Sequence, residues 1–162
     1  MTPAPALHVV LVHPEIPWNT GNVGRTCLAF GARLHLVRPL GFALTARELR
    51  RAGLDYWDRV DPVVWSGIDE LEAALPRLGE PFLFSAEAPS SLWETRFTSR
   101  SVLVFGRESV GLPVELRSRW AGHLVRIPQT DPALRSLNLS TAAAVALAEA
   151  ARQRAAAALT PR

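Results

Sequence analysis

The chain contains no lysine: all 18 of its basic residues are arginine. It has one cysteine, Cys27, and single methionine and tyrosine residues. One cysteine excludes an internal disulfide. Set among apolar residues, Cys27 reads as a small buried hydrophobe rather than a nucleophile. No uninterrupted apolar run approaches the ~20 residues of a membrane span. The opening "MTPAPA" lacks both a basic region and a long apolar region, so the sequence predicts no signal peptide and a cytoplasmic protein. The phosphate-binding signatures G-x-G-x-x-G and G-x-x-x-x-G-K-[ST] are missing, and so is the G-x-S-x-G elbow. His8, His13, His35 and His123 are scattered, and no His/Cys spacing matches a zinc site. No metal is expected.

The 162 residues suit one domain spanning 1–162, with ends at about 1–6 and 155–162 expected to fray. Hydrophobic residues make up 48%, enough for a core, and the 20% of charged residues argues against disorder. The net charge is only +3. The all-arginine bias has two readings. It can be compositional, since it covers the whole chain. It also suits RNA, because a guanidinium pairs bidentately with phosphate and stacks on bases.

Short apolar runs recur at 7–12, 33–37, 61–65, 81–86, 101–106 and 123–128. Near-continuous apolar character fits strands buried on both faces of a parallel sheet. Helical patterns follow most of them, at 24–32, 45–53, 67–79 and 112–121, and the chain ends in a long Ala-rich stretch. Asn138 and Ser140 are both candidate N-caps for that last helix. This alternation predicts an α/β fold, an open, mostly parallel sheet flanked by helices.

Ligands of such sheets gather at the carboxyl ends of the strands. Three loops predicted there are rich in Gly, Asn and Ser: "HPEIPWNTGNVGR", "GRESVGLP" and "PQTDPALRSLNLS". In the first, Gly21 and Gly24 suggest either a turn needing positive φ or a loop that approaches a ligand. Asn19 and Asn22 fit turn positions. Arg25 is read at a helix start, an unfavourable place for a cation. Glu108 is read either as functional or as a partner of the turn opened by Pro113.

Together these loops resemble the SPOUT superfamily of RNA methyltransferases. "PEIPWNTGNVGRTC" resembles its first motif, "VFGRESVGLP" its second and "RIPQT…RSLNLSTA" its third, over about His8 to Arg152. "GFALTARELRRAGLDYW" is similar to the small branch that methylates the ribose 2′-oxygen of the tRNA wobble nucleoside. Trp18 stands where the family often has proline. The resemblance implies a C-terminal trefoil knot, a homodimer and tRNA lying across both subunits. It implies S-adenosylmethionine as cofactor and S-adenosylhomocysteine as product. The cofactor contacts it implies are Phe84, Gly106, Ile127, Ser136 and Leu137. Arg25 would act on the target ribose, with Asn22 shaping its loop and Glu108 and Asn138 orienting substrate or loops. The alternatives are another tRNA position, rRNA, or an RNA-binding module without catalysis.

Overall fold

The computed structural model describes residues 5–45, 47, 48 and 55–159. In chain order its elements are β1 (Leu7–Val12), α1 (Pro17–Phe30), β2 (Arg33–Val37), α2 (Trp57–Val60), β3 (Val63–Trp65), α3 (Ile68–Leu78) and β4 (Glu80–Phe84). Then come β5 (Ser90–Ser91), β6 (Ser101–Phe105), α4 (Val114–Arg119), β7 (Leu124–Arg126) and α5 (Leu139–Leu159). The strands form one sheet in the order β3-β2-β1-β6-β4-β7-β5. Every strand pairing in it is parallel.

Parallel strands need both faces covered, and successive residues point to opposite faces. In β1, Leu7, Val9 and Leu11 join a core with Val23 and Cys27 of α1, Trp57 and Val60 of α2 and the Ala-rich α5. Val10 and Val12 join the opposite core with Leu71 and Leu75 of α3 and Leu116 of α4. The β6 pairs Leu103/Phe105 and Val102/Val104 divide the same way. Burial pushes the Cys27 thiol up to about 12, in keeping with an inert core residue.

Three expectations need correction. The stretch from Asn19 to Cys27 is not a loop; it lies inside α1, whose first helical residue is Pro17. Neither Gly21 nor Gly24 has positive φ. They serve packing instead. A Cβ on Gly24 would lie 3.1 Å from Trp57 and Val60, and the Tyr56 hydroxyl donates to the Gly21 carbonyl at 2.9 Å. Asn22 therefore shapes no turn. Second, α5 continues to Leu159, past the point where fraying was expected. Gln153 helps hold it, donating to the Thr95 carbonyl and accepting from the Phe97 amide. Third, β5 was not expected. Of the helix expected at 45–53, Arg47 and Glu48 are helical and 46 and 49–53 lie outside the described residues.

Two scattered histidines meet in the core. The Trp65 indole N–H donates to His35 Nδ1 at 3.1 Å, and His35 Nε2 lies 2.9 Å from His8 Nδ1. Indole is only a donor, so the His35 proton sits on Nε2 and is given to His8. His8 then carries its own proton on Nε2, which has no partner at hydrogen-bond geometry. Burial holds both rings neutral, with His35 pushed down to about 3, and Arg33 and Arg100 further oppose a positive charge. The unfolded rings protonate near pH 6.5, while folded His35 does not until about pH 3 and His8 is shifted in the same direction. Stability is thus intact above about pH 6.5 and lost as pH falls below it. We expect His35 to lower the melting temperature by about 3–5 °C per pH unit between pH 6 and 5, with His8 acting in the same direction. His35→Gln, which can still accept from Trp65, should flatten that slope. Thermal melts across this window check it.

Candidate active site

The sheet's strands run one way, so the loops after β1, β4, β6 and β7 share an edge. There they enclose a cavity of about 750 Å³. Chain order reverses between β1 and β6, since β2 and β3 lie on one side and β4, β7 and β5 on the other. Open α/β sheets bind ligands at such a switch point.

One end of the cavity is a hydrogen-bonded network. The N-cap position of α1 is Ile16, which offers no side-chain acceptor. Glu108, from the loop after β6, supplies one. Its Oε2 accepts from Glu15 N at 2.8 Å, and its Oε1 accepts from Ile16 N at 3.1 Å and Asn19 Nδ2 at 3.2 Å. Glu15 reciprocates: its carboxylate accepts from Ser109 N at 3.0 Å and Ser109 Oγ at 2.9 Å. Asn19 Oδ1 accepts from Asn138 Nδ2 at 3.1 Å. Asn138 Oδ1 in turn accepts from Ser140 N, Ser140 Oγ and Thr141 N, which caps α5. Asn138 is the cap, and Ser140 lies within the first turn. Glu108 serves α1 and not the turn after Pro113. Asn19, which reads as no more than a turn residue in the sequence, links Glu108 to Asn138 and so joins the motifs that carry them.

The cavity is lined by Phe84, Gly106, Glu108, Ile127, Ser136, Leu137 and Asn138, all singled out from the sequence. Gly106 is needed for a reason other than ligand approach. A Cβ there would fall inside the backbone of Gly111 and Leu112, where Gly111 turns the chain back with φ 74°. Arg25 and Asn22 do not line it. Arg25 sits on the exposed side of α1, its guanidinium 5.6 Å from the centroid of Tyr56, beside a recess lined by Leu28, Ala29, Tyr56 and Arg59. It is well within α1 rather than at its start.

The opposite end lies over β4 and β7. Arg117 of α4 reaches Glu87 through Nη1 at 3.2 Å, while its Nε is buried without a partner. Gln129 Oε1, also lining the cavity, is buried and unpartnered too. Phe84 and Phe105 stack with ring centroids 4.7 Å apart, and Ile127 and Ala142, packed in the same core, add apolar lining to the cavity. An apolar slot with unsatisfied polar atoms at one end and an anchored polar network at the other fits an amphiphilic small molecule such as S-adenosylmethionine. Among the described residues no cluster of His, Cys, Asp or Glu could hold a metal ion.

Two outcomes follow from this geometry. Glu108→Gln turns one acceptor oxygen into a donor facing backbone N–H groups. It should therefore cost about 1–3 kcal/mol of stability, seen as a lowered melting temperature. A residue serving chemistry alone would leave the melt unchanged. Any side chain at Gly106 should displace the loop to Leu112, so Gly106→Ala should lose S-adenosylhomocysteine affinity in calorimetry and also melt earlier.

Residues 6–148 match the SpoU rRNA Methylase family. A tRNA (cytidine(34)-2'-O)-methyltransferase of Methylovorus glucosotrophus (strain SIP3-4) is 44% identical over 146 residues, 90% of this chain and 94% of that one. A solved structure described as giving insight into 2-OH methylation of C/U34 on tRNA superposes with TM-score 0.85 at 49% identity, over 93% of this chain and 97% of that one. An AdoMet-bound rRNA methyltransferase from Sinorhizobium meliloti superposes with TM-score 0.74 at 30% identity, over 90% of this chain and 56% of that one. A match over most of the chain, and the placing of all three motifs around one cavity, make this chain a member of the SpoU family of SPOUT methyltransferases.

Proposed function

We propose that this protein methylates the ribose 2′-hydroxyl of the wobble nucleoside, cytidine or uridine 34, in tRNA. The observation that carries this reading is the cavity at the switch point, walled by the three motif loops. The names of the relatives supply the substrate. When bound, S-adenosylmethionine supplies an electrophilic sulfonium methyl and is left as S-adenosylhomocysteine. Transfer of that methyl to the 2′-oxygen would release the hydroxyl proton to water.

This chain's residues act by holding and orienting. Phe84, Gly106, Ile127, Ser136 and Leu137 are the cofactor wall. Glu108, Asn19 and Asn138 fix the loops, and their hydrogen bonds to one another make them positioning residues. Exposed Arg107 and Arg135 on the cavity lining suit phosphate contacts. Arg25 stabilises charge developing on the 2′-oxygen. A guanidinium offers charge and a planar set of N–H donors with no acceptor, so its part is to stabilise and hold rather than to act as a base.

Because Arg25 lies outside the cavity of its own chain, it would meet the target ribose from a second copy. The outward face of α1, with Trp18, Asn22, Arg25 and Ala29, supports a homodimer in which each α1 faces the other cavity. The reading includes one folding unit over the chain, a cytoplasmic setting for the tRNA, and a C-terminal segment threaded as a trefoil knot. Two features support the knot: β7 lies between β4 and β5, and the chain after it returns to Asn19 and α1. No helix among the described residues is long and apolar enough to cross a membrane.

The test is single-turnover methylation of an anticodon stem-loop, read by nucleoside mass spectrometry. Arg25→Ala should lower the rate by about 10²-fold or more while cofactor affinity stays the same. Arg25→Lys should rescue only partly, because an ammonium lacks the planar fork. Normal rates in Arg25→Ala would remove it from the chemistry. Methylation of rRNA fragments in place of the stem-loop would overturn the tRNA assignment.

A further inference from the structure

Gln129 and Arg117 have no part in the network at the α1 end, yet each carries an unsatisfied buried atom in the cavity lining. One is an acceptor, Gln129 Oε1, and the other a donor, Arg117 Nε–H. A buried polar atom without a partner is costly, about 1–3 kcal/mol, and a site of this kind is relieved by a ligand that supplies the missing bonds. Such a ligand must present one donor and one acceptor.

The charges around the pair select among the parts of the cofactor. Arg117 is already neutralised by Glu87, 3.2 Å from its Nη1. A ligand carboxylate would meet the Glu87 carboxylate, and a ligand ammonium would meet the guanidinium. Neither end of an amino-acid group is favoured. A neutral, flat group is. Phe84, Phe105 and Ile127 supply apolar lining to the same cavity. An adenine edge offers an exocyclic N6–H donor next to a ring-nitrogen acceptor, the pattern that a side-chain donor and acceptor read together. We propose that Gln129 and Arg117 read the adenine of S-adenosylmethionine: Gln129 accepts from N6–H, and Arg117 Nε–H donates to a ring nitrogen. Glu87 holds the guanidinium in that orientation. This assignment rests on the cofactor reading given above. It makes the β4/β7 end of the cavity the adenine end and leaves the Glu108 end for the transferred methyl and the RNA.

Inosine tests it, because its ring edge reverses the pattern: O6 accepts and N1–H donates. Calorimetry would compare S-adenosylhomocysteine, S-inosylhomocysteine and 5′-methylthioadenosine, which lacks the amino-acid group. The unaltered protein should prefer the adenosyl compound over the inosyl one by at least about tenfold. Gln129→Met keeps the side-chain length but not the acceptor. It should weaken S-adenosylhomocysteine and 5′-methylthioadenosine alike by about 5–10-fold and shrink the preference over inosine. Arg117→Met should behave the same way. The ligand-free protein should melt no lower, because the substitution removes an unsatisfied buried atom, and affinity for the anticodon stem-loop should not change. If Gln129→Met weakens S-adenosylhomocysteine but not 5′-methylthioadenosine, the pair holds the amino-acid end and the assignment fails. If Gln129→Met leaves S-adenosylhomocysteine affinity and the adenosyl preference unchanged, the assignment fails while the cofactor reading stands. If the unaltered protein does not bind S-adenosylhomocysteine, both fail.

Discussion

A helix begins with backbone N–H groups that nothing in the helix can satisfy. In α1 Pro17 at the first helical position has no N–H to satisfy, but the N-cap residue, Ile16, has no side-chain acceptor and its own N–H needs a partner. The acceptor comes from Glu108, 92 residues away in sequence from Ile16. A carboxylate at that position meets both the free N–H groups and the positive end of the helix dipole. The same oxygen that serves Ile16 also takes Asn19, and Asn19 takes Asn138, which caps α5. The loop after β6, the start of α1 and the start of α5 are therefore held by one chain of bonds. The cavity is what these elements enclose. Its shape depends on Glu108 more than on any residue that lines its apolar wall.

The strands were legible in the sequence because parallel strands are apolar on both faces, and the runs at 7–12, 33–37 and 101–106 have that character throughout. Two-residue β5, Ser90–Ser91, has no such signal. The start of α1 was misread because Gly21 and Gly24 have poor helix propensity. The usable signal was local: a proline at the first helical position and Gly31 at the end, in left-handed conformation with φ 66°. The motif loops were legible because strand ends collect function. What each residue touches was not. Glu108 bonds to α1 rather than to the turn that follows it, and no local pattern encodes a partner so far along the chain. The orphaned atoms of Arg117 and Gln129 were equally hidden, since being unpartnered is a property of the folded surroundings alone.

Sequence adjacency within the first motif also hides a division of labour around α1. At 3.6 residues per turn, Thr20, Gly21, Val23, Gly24 and Cys27 point inward, while Trp18, Asn22, Arg25 and Ala29 point out. Gly24 lets α2 approach α1 closely, and that approach brings Tyr56 against the helix, with its hydroxyl donating to the Gly21 carbonyl. The Tyr56 ring then lies beneath Arg25. Attraction between a guanidinium and an aromatic face is worth about 0.5–1 kcal/mol at an exposed site, enough to narrow the range of an otherwise free side chain. So Gly24, which reads as part of a loop, acts on Arg25 at one remove: it makes room for the ring that places the arginine. In the reaction proposed above, an arginine held this way would lose less freedom on meeting a phosphate or an oxygen bearing new charge, so its narrowed range is itself a contribution to positioning.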